Sequence, residues 1–379
     1  MGRFRDVELD EVQLNGPRLL LRDWRWDDAE DVHRIMQDPS MHEFLALPVP
    51  YTLDAARRFV TELGHEGRRD GTGLGGAVVE RETGRLVGAA ALRIAADGEI
   101  GFWIAPEARG HGYAAEATRM LTDWAFGHGL GRVRMLADVR NLASIRTALR
   151  AGLSFEGVGR GALVSGSDGT ASARRADLAR FARLPGDPGN PIPPSFPPLG
   201  PPAPSDGVLT LRMAGPDDAD AMIESEDAVS VGWNFTGTAP AAEQSRRRAA
   251  AAGLQWLVGT TANIAMVDVQ SGEVAGFVDV RRSGPPQVGG VGYTVLPRFR
   301  GRGFTGRALR LVRTWAFEVA DFARLELGAK QANIASQRAA ESGGFEPDGV
   351  RRARLRNADG TFSDEVRYCS INPAYDTRL

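Results

Sequence analysis

The feature that most constrains the fold of this 379-residue chain is that its two halves resemble each other. An alternating run that ends in Arg22 corresponds to one that ends in Arg212, and Asp-Asp-Ala follows each arginine five residues later. Further blocks keep the same order at spacings of 190 to 192 residues, among them Trp124-Ala-Phe and Trp315-Ala-Phe. The sequence therefore predicts a tandem duplication of a domain of about 180 residues. Such a unit is too long for a solenoid repeat.

A proline-rich segment separates the two halves. Residues 185–204 hold ten of the 22 prolines in the chain. Proline has a fixed φ and no N–H, so this segment cannot form a helix or a central strand. We expect an extended, semi-rigid linker between an N-terminal domain, 1–184, and a C-terminal domain, 205–379.

The composition narrows the class of protein. With 42% hydrophobic and 25% charged residues, the chain is typical of soluble globular proteins. The single cysteine, Cys369, excludes an internal disulfide and a multi-cysteine metal site, and all five histidines lie in the first half. A net charge of −2 weighs against a dedicated nucleic-acid binder. No apolar stretch is long enough for a membrane helix or a signal peptide, so we expect a cytoplasmic protein with no membrane partner.

The hydrophobic periodicity predicts a mixture of strands and helices in each half. In the first half the predicted helices cover 27–36, 52–64, 112–127 and 142–151. The predicted strands cover 18–23, 74–81, 86–94, 99–105, 132–139, 154–163 and 174–181. The fold class is therefore α/β (α+β), with antiparallel hairpins and a crossover, occurring twice.

A glycine-rich turn joins a predicted strand to a predicted helix in each half. In the first half its residues are Arg109, Gly110, His111, Gly112, Tyr113 and Ala114, and in the second they are Arg300, Gly301, Arg302, Gly303, Phe304 and Thr305. Such a loop points backbone N–H groups into a concavity at a helix N-terminus, which binds phosphate or pyrophosphate. The spacing matches neither a Rossmann fingerprint nor a P-loop.

A second pair of motifs follows the next predicted strand and opens the next helix. It reads Asn141-Leu-Ala-Ser144 in the first half and Asn333-Ile-Ala-Ser336 in the second. Taken alone, each asparagine is typical of a helix cap. The two serines sit one turn into the helix, where a cap does not require them.

These motifs, in the same order in both halves, resemble those of the GNAT superfamily of acyltransferases, and more narrowly the branch of the ribosomal-protein N-terminal acetyltransferases. The resemblance implies two tandem GNAT-like domains, each with a mixed, largely antiparallel twisted sheet flanked by helices. It also implies acetyl-CoA as cosubstrate and no metal. The glycine-rich loops would bind the CoA pyrophosphate, although Thr305 stands where the family prefers Gly or Ala. Asn141 and Asn333 would bind the pantetheine arm, and Ser144 and Ser336 would protonate the leaving thiolate.

Two further residues are candidates because acyl transfer to an amine needs proton transfer and a donor for the oxyanion. Glu99, at the start of the strand before the first loop, is a candidate base, and the competing interpretation is an exposed strand-edge carboxylate. Tyr293 lies in the corresponding strand, which has no carboxylate, and either contributes its hydroxyl or packs as an aromatic. The resemblance implies that this strand, 99–105 or 290–296, bulges and offers an N–H to the thioester carbonyl.

The leading hypothesis is an N-acyltransferase that moves acetyl from acetyl-CoA to a primary amine of a small molecule or a peptide N-terminus. The first half is favoured as catalytic because its loop fits better and it contains Glu99. Two alternatives stay open. One is a transferase that uses aminoacyl-tRNA, with arginine clusters at 246–248 and 351–356 contacting phosphates. The other is a CoA-binding sensor or scaffold without turnover. The oligomeric state does not follow from the sequence.

Overall fold

The computed structural model describes residues 13–165, 174–235, 238–357 and 359–375. The chain divides into two compact units, Met1–Pro193 and Pro194–Leu379. Each unit is built around one sheet. In the part of the chain that the structure describes, every helix is too short or too polar to span a bilayer.

The N-terminal unit places helices around a sheet with the strand order β1-β2-β3-β4-β5-β6-β8-β7. Its strands are β1 (Leu14–Asn15), β2 (Leu19–Arg22), β3 (Gly73–Glu80), β4 (Leu86–Ile94), β5 (Gly98–Ile104), β6 (Val133–Asp138), β7 (Ser154–Ser165) and β8 (Arg174–Arg183). Its helices are α1 (Asp28–Met36), α2 (Leu53–Thr61), α3 (Glu66–Arg69), α4 (Tyr113–Gly127) and α5 (Leu142–Arg150). Neighbouring strands are antiparallel except for β5 and β6.

The C-terminal unit repeats this plan with the strand order β14-β15-β13-β12-β11-β10-β9. Its strands are β9 (Leu209–Met213), β10 (Thr261–Asp268), β11 (Val274–Ser283), β12 (Val288–Val295), β13 (Arg324–Lys330), β14 (Glu346–Arg356) and β15 (Phe362–Ile371). Its helices are α6 (Ala219–Ser225), α7 (Ala228–Trp233), α8 (Ala242–Val258), α9 (Phe304–Glu318) and α10 (Ile334–Ser342). Here the parallel pair is β12 and β13.

The predicted fold class is confirmed, since both units are mixed, largely antiparallel sheets flanked by helices. The strand predicted at 86–94 is β4 as observed. The helix predicted at 112–127 begins one residue later, because Gly112 is the N-cap and has a left-handed φ of +79°. Hydrophobic periodicity thus located the elements, and a glycine fixed the start of the helix that follows the loop.

The Asp-Asp-Ala motifs act through an ion pair with the preceding strand. Asp27 is the N-cap of α1 but makes no side-chain cap hydrogen bond. The next carboxylate, Asp28, is buried and accepts two hydrogen bonds, of 2.7 and 2.8 Å, from the guanidinium of Arg22. Asp218 does the same with Arg212, at 2.8 and 2.6 Å. Each motif therefore links the end of a strand to the start of the following helical segment through an arginine–aspartate ion pair.

The proline-rich segment contains neither helix nor strand, and its residues pack onto the two units. The N–H of Ile192 donates to the carbonyl of Leu149 in the N-terminal unit, at 2.9 Å. The N–H of Phe196 donates to the carbonyl of Trp256 in the C-terminal unit, at 3.1 Å. The Phe196 ring is fully buried beside Trp256 and Trp315. The segment thus supplies a core residue to the C-terminal unit.

The parallel strands of each sheet diverge after a short contact. β12 pairs with β13 only over 288–290, although it continues for five more residues. β5 pairs with β6 only at Gly98 and Glu99. Beyond these residues the two strands are no longer paired, so each sheet has a gap between them on the side of the glycine-rich loop.

Candidate active site

The glycine-rich loop of each unit leads from β5 or β12 into the first turn of α4 or α9. Gly110 and Gly112 have φ values of +84° and +79°, and Gly301 and Gly303 have +74° and +76°. This left-handed region favours glycine. A Cβ on Gly110, Gly301 or Gly303 would meet no atom within 4 Å, so the space above both loops is open.

The first N–H groups of α4 and α9 face that space. Tyr113, Ala114, Phe304 and Thr305 have backbone N–H groups without an acceptor in the described part of the chain. Free N–H groups and the positive end of the helix dipole favour an anion, and phosphate above all. Each loop therefore combines left-handed glycines with free N–H groups at a helix start, and CoA binding there stays a prediction.

The loop arginines turn back onto the protein. The guanidinium of Arg109 donates to Ser40 Oγ at 2.8 Å. That of Arg300 donates to both carboxylate oxygens of Asp227, at 2.9 and 2.6 Å, and to Ser230 Oγ at 3.0 Å. These bonds from Arg300 hold the pKa of Asp227 well below its usual range. Both arginines thus fix the loop, and the backbone N–H groups are left for an anion.

The remaining loop side chains pack against the loop itself. His111 Nδ1 lies 2.9 Å from the carbonyl oxygen of Arg109, and its ring stacks on that of Tyr113. Phe304 is buried, and the guanidinium of Arg302 lies 5.0 Å from the centre of its ring. Tyr113 and Phe304 therefore anchor corresponding first turns, one in each unit.

Both asparagines of the second motif cap a helix. Asn141 Oδ1 accepts the N–H of Ser144 at 3.0 Å, and Asn333 Oδ1 accepts that of Ser336 at 3.1 Å. The side-chain NH₂ group of each asparagine has no acceptor among the residues that the structure describes. Each asparagine can therefore cap its helix and still donate to a ligand.

Two of the predicted catalytic residues meet in the C-terminal unit. The Tyr293 hydroxyl lies 2.7 Å from Ser336 Oγ and 3.2 Å from the Ser336 carbonyl oxygen. Burial raises the pKa of Tyr293, so its hydroxyl keeps its proton at neutral pH. In the N-terminal unit, Phe102 occupies the corresponding strand position, so Ser144 receives no such hydroxyl.

Residues 18–154 and 209–346 each match the family described as Acetyltransferase (GNAT) domain. Together these two ranges make up more than half of the chain. The chain belongs to the GNAT acetyltransferase family. The tandem duplication predicted from the sequence is confirmed by the two matches, one in each unit.

Individual relatives of this GNAT chain are distant. Over 102 residues it is 30% identical to the Probable N-acetyltransferase YjcK of Bacillus subtilis (strain 168), a match that covers 27% of this chain and 55% of the relative. The chain thus spans about half the length of that curated relative. Among solved structures, RimL, a ribosomal L7/L12 α-N-protein acetyltransferase in complex with coenzyme A, is 20% identical with a TM-score of 0.40, covering 46% of this chain and 98% of that one. A ribosomal-protein-S5-alanine acetyltransferase from Vibrio fischeri is 18% identical with a TM-score of 0.40, covering 44% and 95%.

The bulge that GNAT membership led us to expect is not found in the strand pairing. β5 pairs with β4, and β12 with β11, in unbroken register. Irregularities lie instead in the preceding hairpins, at Val78–Val79 and Met266–Val267. The edge of β12 that faces the gap is freed because β13 diverges from it, and this divergence exposes the N–H groups expected from a bulge.

Glu99 forms ion pairs with two arginines of neighbouring strands. Its carboxylate pairs with Arg93 on β4 and with Arg134 on β6, the latter at 2.9 Å. Side chains alternate along a strand, so Glu99 and Phe102 face opposite sides of the sheet. Glu99 is therefore an ion-paired carboxylate on a central strand with 17% of its side chain exposed, and not the exposed strand-edge carboxylate of the competing interpretation.

The sequence reasoning missed a carboxylate on the strand next to Tyr293. Asp279 on β11 lies opposite Gly292 on β12, and a Cβ on that glycine would lie 2.8 Å from Asp279 Oδ1. Burial raises the pKa of Asp279, against the opposing effect of Arg281 and Arg248. Aligning β11 with β4 shows the signal, because Ala91 is the corresponding residue in the N-terminal unit.

Proposed function

We propose that this chain is an N-acetyltransferase that moves acetyl from acetyl-CoA to a primary amine, on a small molecule or a peptide N-terminus, and that the C-terminal unit performs the transfer. The observation that carries the proposal is the 2.7 Å contact between the Tyr293 hydroxyl and Ser336 Oγ. This contact lies beside the gap between β12 and β13, and the glycine-rich loop that follows β12 has free N–H groups that favour an anion.

The donor would be held by backbone groups and one amide. The loop N–H groups at the start of α9 would bind the pyrophosphate, because they point into open space at the positive end of a helix. The free NH₂ group of Asn333 would donate to a carbonyl of the pantetheine arm. The arm would then follow the gap between β12 and β13 and pair with the free edge of β12. The same groups exist in the N-terminal unit, so both units are proposed to bind CoA.

The chemistry needs one proton at the leaving sulfur. As the amine nitrogen attacks, the C–N bond forms and the C–S bond breaks. The thiolate must gain a proton, and the nitrogen must lose one to become an amide, which can restore the group that protonated the sulfur. When the Tyr293 hydroxyl donates to Ser336 Oγ, the serine O–H is free to point toward the sulfur. Tyr293 keeps its own proton because burial raises its pKa. General acid catalysis of this kind contributes about 10²–10⁴-fold to a rate.

The N-terminal unit lacks this arrangement. Phe102 cannot orient the hydroxyl of Ser144, and Glu99 is bound to two arginines. These contacts reverse the preference for the first half that the sequence suggested. They support a division in which the N-terminal unit binds the donor and the C-terminal unit turns it over.

The test is thiol release from acetyl-CoA with a panel of primary amines, measured on the full chain. We expect Ser336→Ala to lower kcat about 100-fold or more, and Tyr293→Phe to lower it by about 10-fold, the value of one hydrogen bond. The matched control, Ser144→Ala, should leave kcat unchanged. CoA affinity should persist in all three variants. Loss of turnover in Ser144→Ala with full turnover in Ser336→Ala would overturn the assignment. CoA binding without turnover of any amine would favour a sensor.

A further inference from the structure

Four charged side chains form a cluster on one face of the C-terminal sheet, near the gap between β12 and β13. Asp279 and Arg281 are two residues apart on β11 and therefore share that face. Arg248, on α8, lowers the pKa of Asp279 and forms an ion pair with Glu226. Glu226 also accepts a hydrogen bond from the buried Ser245 hydroxyl, at 2.6 Å. The cluster alternates in sign and lies outside the donor loop.

On the face of the sheet that carries this cluster, only the backbone of β12 lies between the cluster and the gap. The residues of β12 opposite Arg281 and Asp279 are Gly290 and Gly292. A Cβ on Gly292 would clash with the Asp279 carboxylate, so glycine is needed there for packing as well. Because neither glycine has a side chain, nothing from β12 on this face stands between Asp279 and the gap. Tyr293 pairs with Val278 and therefore faces the other side of the sheet, together with Ser336. A molecule bound at the cluster would thus approach a thioester in the gap from the side opposite to Ser336.

Asp279 carries an oxygen that lacks a hydrogen-bond donor. Oδ2 is buried and lies 2.5 Å from Arg281 Nη1, but the ion pair lacks hydrogen-bond geometry and no donor in the described part of the chain serves this oxygen. Oδ2 has no exposed surface and faces Arg281, so a ligand N–H would bind the other carboxylate oxygen, Oδ1, which lies over Gly292. The side chains of Arg281 and Arg248 are 50% and 45% exposed, so both stay accessible to an anionic group.

We propose that the acceptor of the C-terminal unit is an amino-acid-like molecule, whose primary amine binds at Asp279 and whose carboxylate binds at Arg281. The proposal rests on the proposed function and names its substrate class. The ammonium donates to Asp279 Oδ1 and passes one proton to it. The freed lone pair then forms the C–N bond while the C–S bond breaks. Ser336 gives its proton to the sulfur and regains one when the nitrogen loses its second proton. A carboxylate whose pKa is raised accepts that proton more readily than an ordinary one.

The N-terminal unit provides the natural contrast. Ala91 stands in place of Asp279, and the same face is covered by Trp103, which stacks on Trp24 with 6.2 Å between ring centres. Its arginine at the corresponding position, Arg93, is paired with Glu99. This face therefore lacks the carboxylate that Asp279 provides in the C-terminal unit.

The experiment compares amines that differ only at the acid group. Thiol release by the full chain with acetyl-CoA would be measured for free L-amino acids, for the corresponding amino-acid amides, and for the corresponding amines without a carboxyl group. We expect kcat/KM to be at least about 10-fold higher for the free acids, the value of one charge-assisted hydrogen bond. Arg281→Gln should raise KM for the free acids and abolish this preference. Arg93→Gln is the matched control and should change nothing.

A second variant tests the carboxylate. Asp279→Asn should lower kcat with every amine and remove the acid limb of the pH profile, whereas Asp279→Glu should restore part of the rate. CoA affinity measured on each variant verifies that the unit is folded. Equal turnover of acids and amides, a preference for peptide N-termini, or a wild-type profile in both Arg281→Gln and Asp279→Asn would overturn the inference while leaving the proposed function standing. Absence of turnover with any amine would overturn both.

Discussion

The replacement Phe196→Ala should strongly destabilise the C-terminal unit, although the residue lies in a proline-rich connecting segment. The Phe196 ring is fully buried, with ring centres of Trp256, Trp315 and Phe322 at 6.0, 6.4 and 6.5 Å. The guanidinium of Arg282 lies 4.9 Å above it. Removing a buried phenyl ring costs about 3–5 kcal/mol. That is a fifth or more of the roughly 5–15 kcal/mol that stabilises a typical domain.

The assay is calorimetric unfolding of the full chain. For a unit of this size the loss corresponds to a decrease in Tm of roughly 6–20 °C for the C-terminal transition, and the N-terminal transition should not move. The matched control is Phe362→Ala, because Phe362 lies in the same unit and is 58% exposed. It should change the free energy of unfolding by less than about 0.5 kcal/mol. If the two variants behave alike, Phe196 does not belong to the core and the reasoning is refuted.

Three further predictions concern the sites. Asp227→Asn should weaken CoA binding. Because Arg300 depresses the pKa of Asp227, the CoA affinity of the wild type should persist as the pH falls below the ordinary carboxyl range, until the pH reaches the lower folded-state pKa. Titrations over a pH series verify this, and a loss of wild-type affinity near pH 4 would contradict it. Gly303→Ala should cost about 1–2 kcal/mol of stability, because φ is +76°, and should lower CoA affinity, both measured on the purified chain. Glu99→Gln should leave the rate of thiol release unchanged, and a large loss would reinstate Glu99 as a base.

Local structure was largely predictable from the sequence. The bounds of β4 and the start of α4 follow from alternation of apolar residues and from glycine, which act within a few residues. The backbone geometry of the glycine-rich loops was predictable for the same reason, since it depends on left-handed glycines and on the start of a helix. The capping role of Asn141 was also among the interpretations, because a cap joins residues only three positions apart.

Contacts between distant segments were not predictable. Tyr293 and Ser336 are 43 residues apart, and their contact depends on how α10 lies against the diverging strand β12. Asp279 became a site residue because β11 and β12 pair in a register that places it opposite a glycine. Phe196 looked like part of a linker because proline dominates its neighbourhood, and only the packing of three aromatic rings gives it a core position.

The positions at which the two units differ indicate how their work is divided. Both loops keep two left-handed glycines and free N–H groups, so each can hold an anion. The strands beside the gap have changed, from Phe102 to Tyr293 and from Ala91 to Asp279. A chain with two donor sites and one set of acid and acceptor residues should bind two CoA molecules and turn over only one. Calorimetric titration should therefore give a stoichiometry of two in both the wild type and Ser336→Ala, while that variant loses nearly all turnover. A stoichiometry of one in the wild type would refute the division.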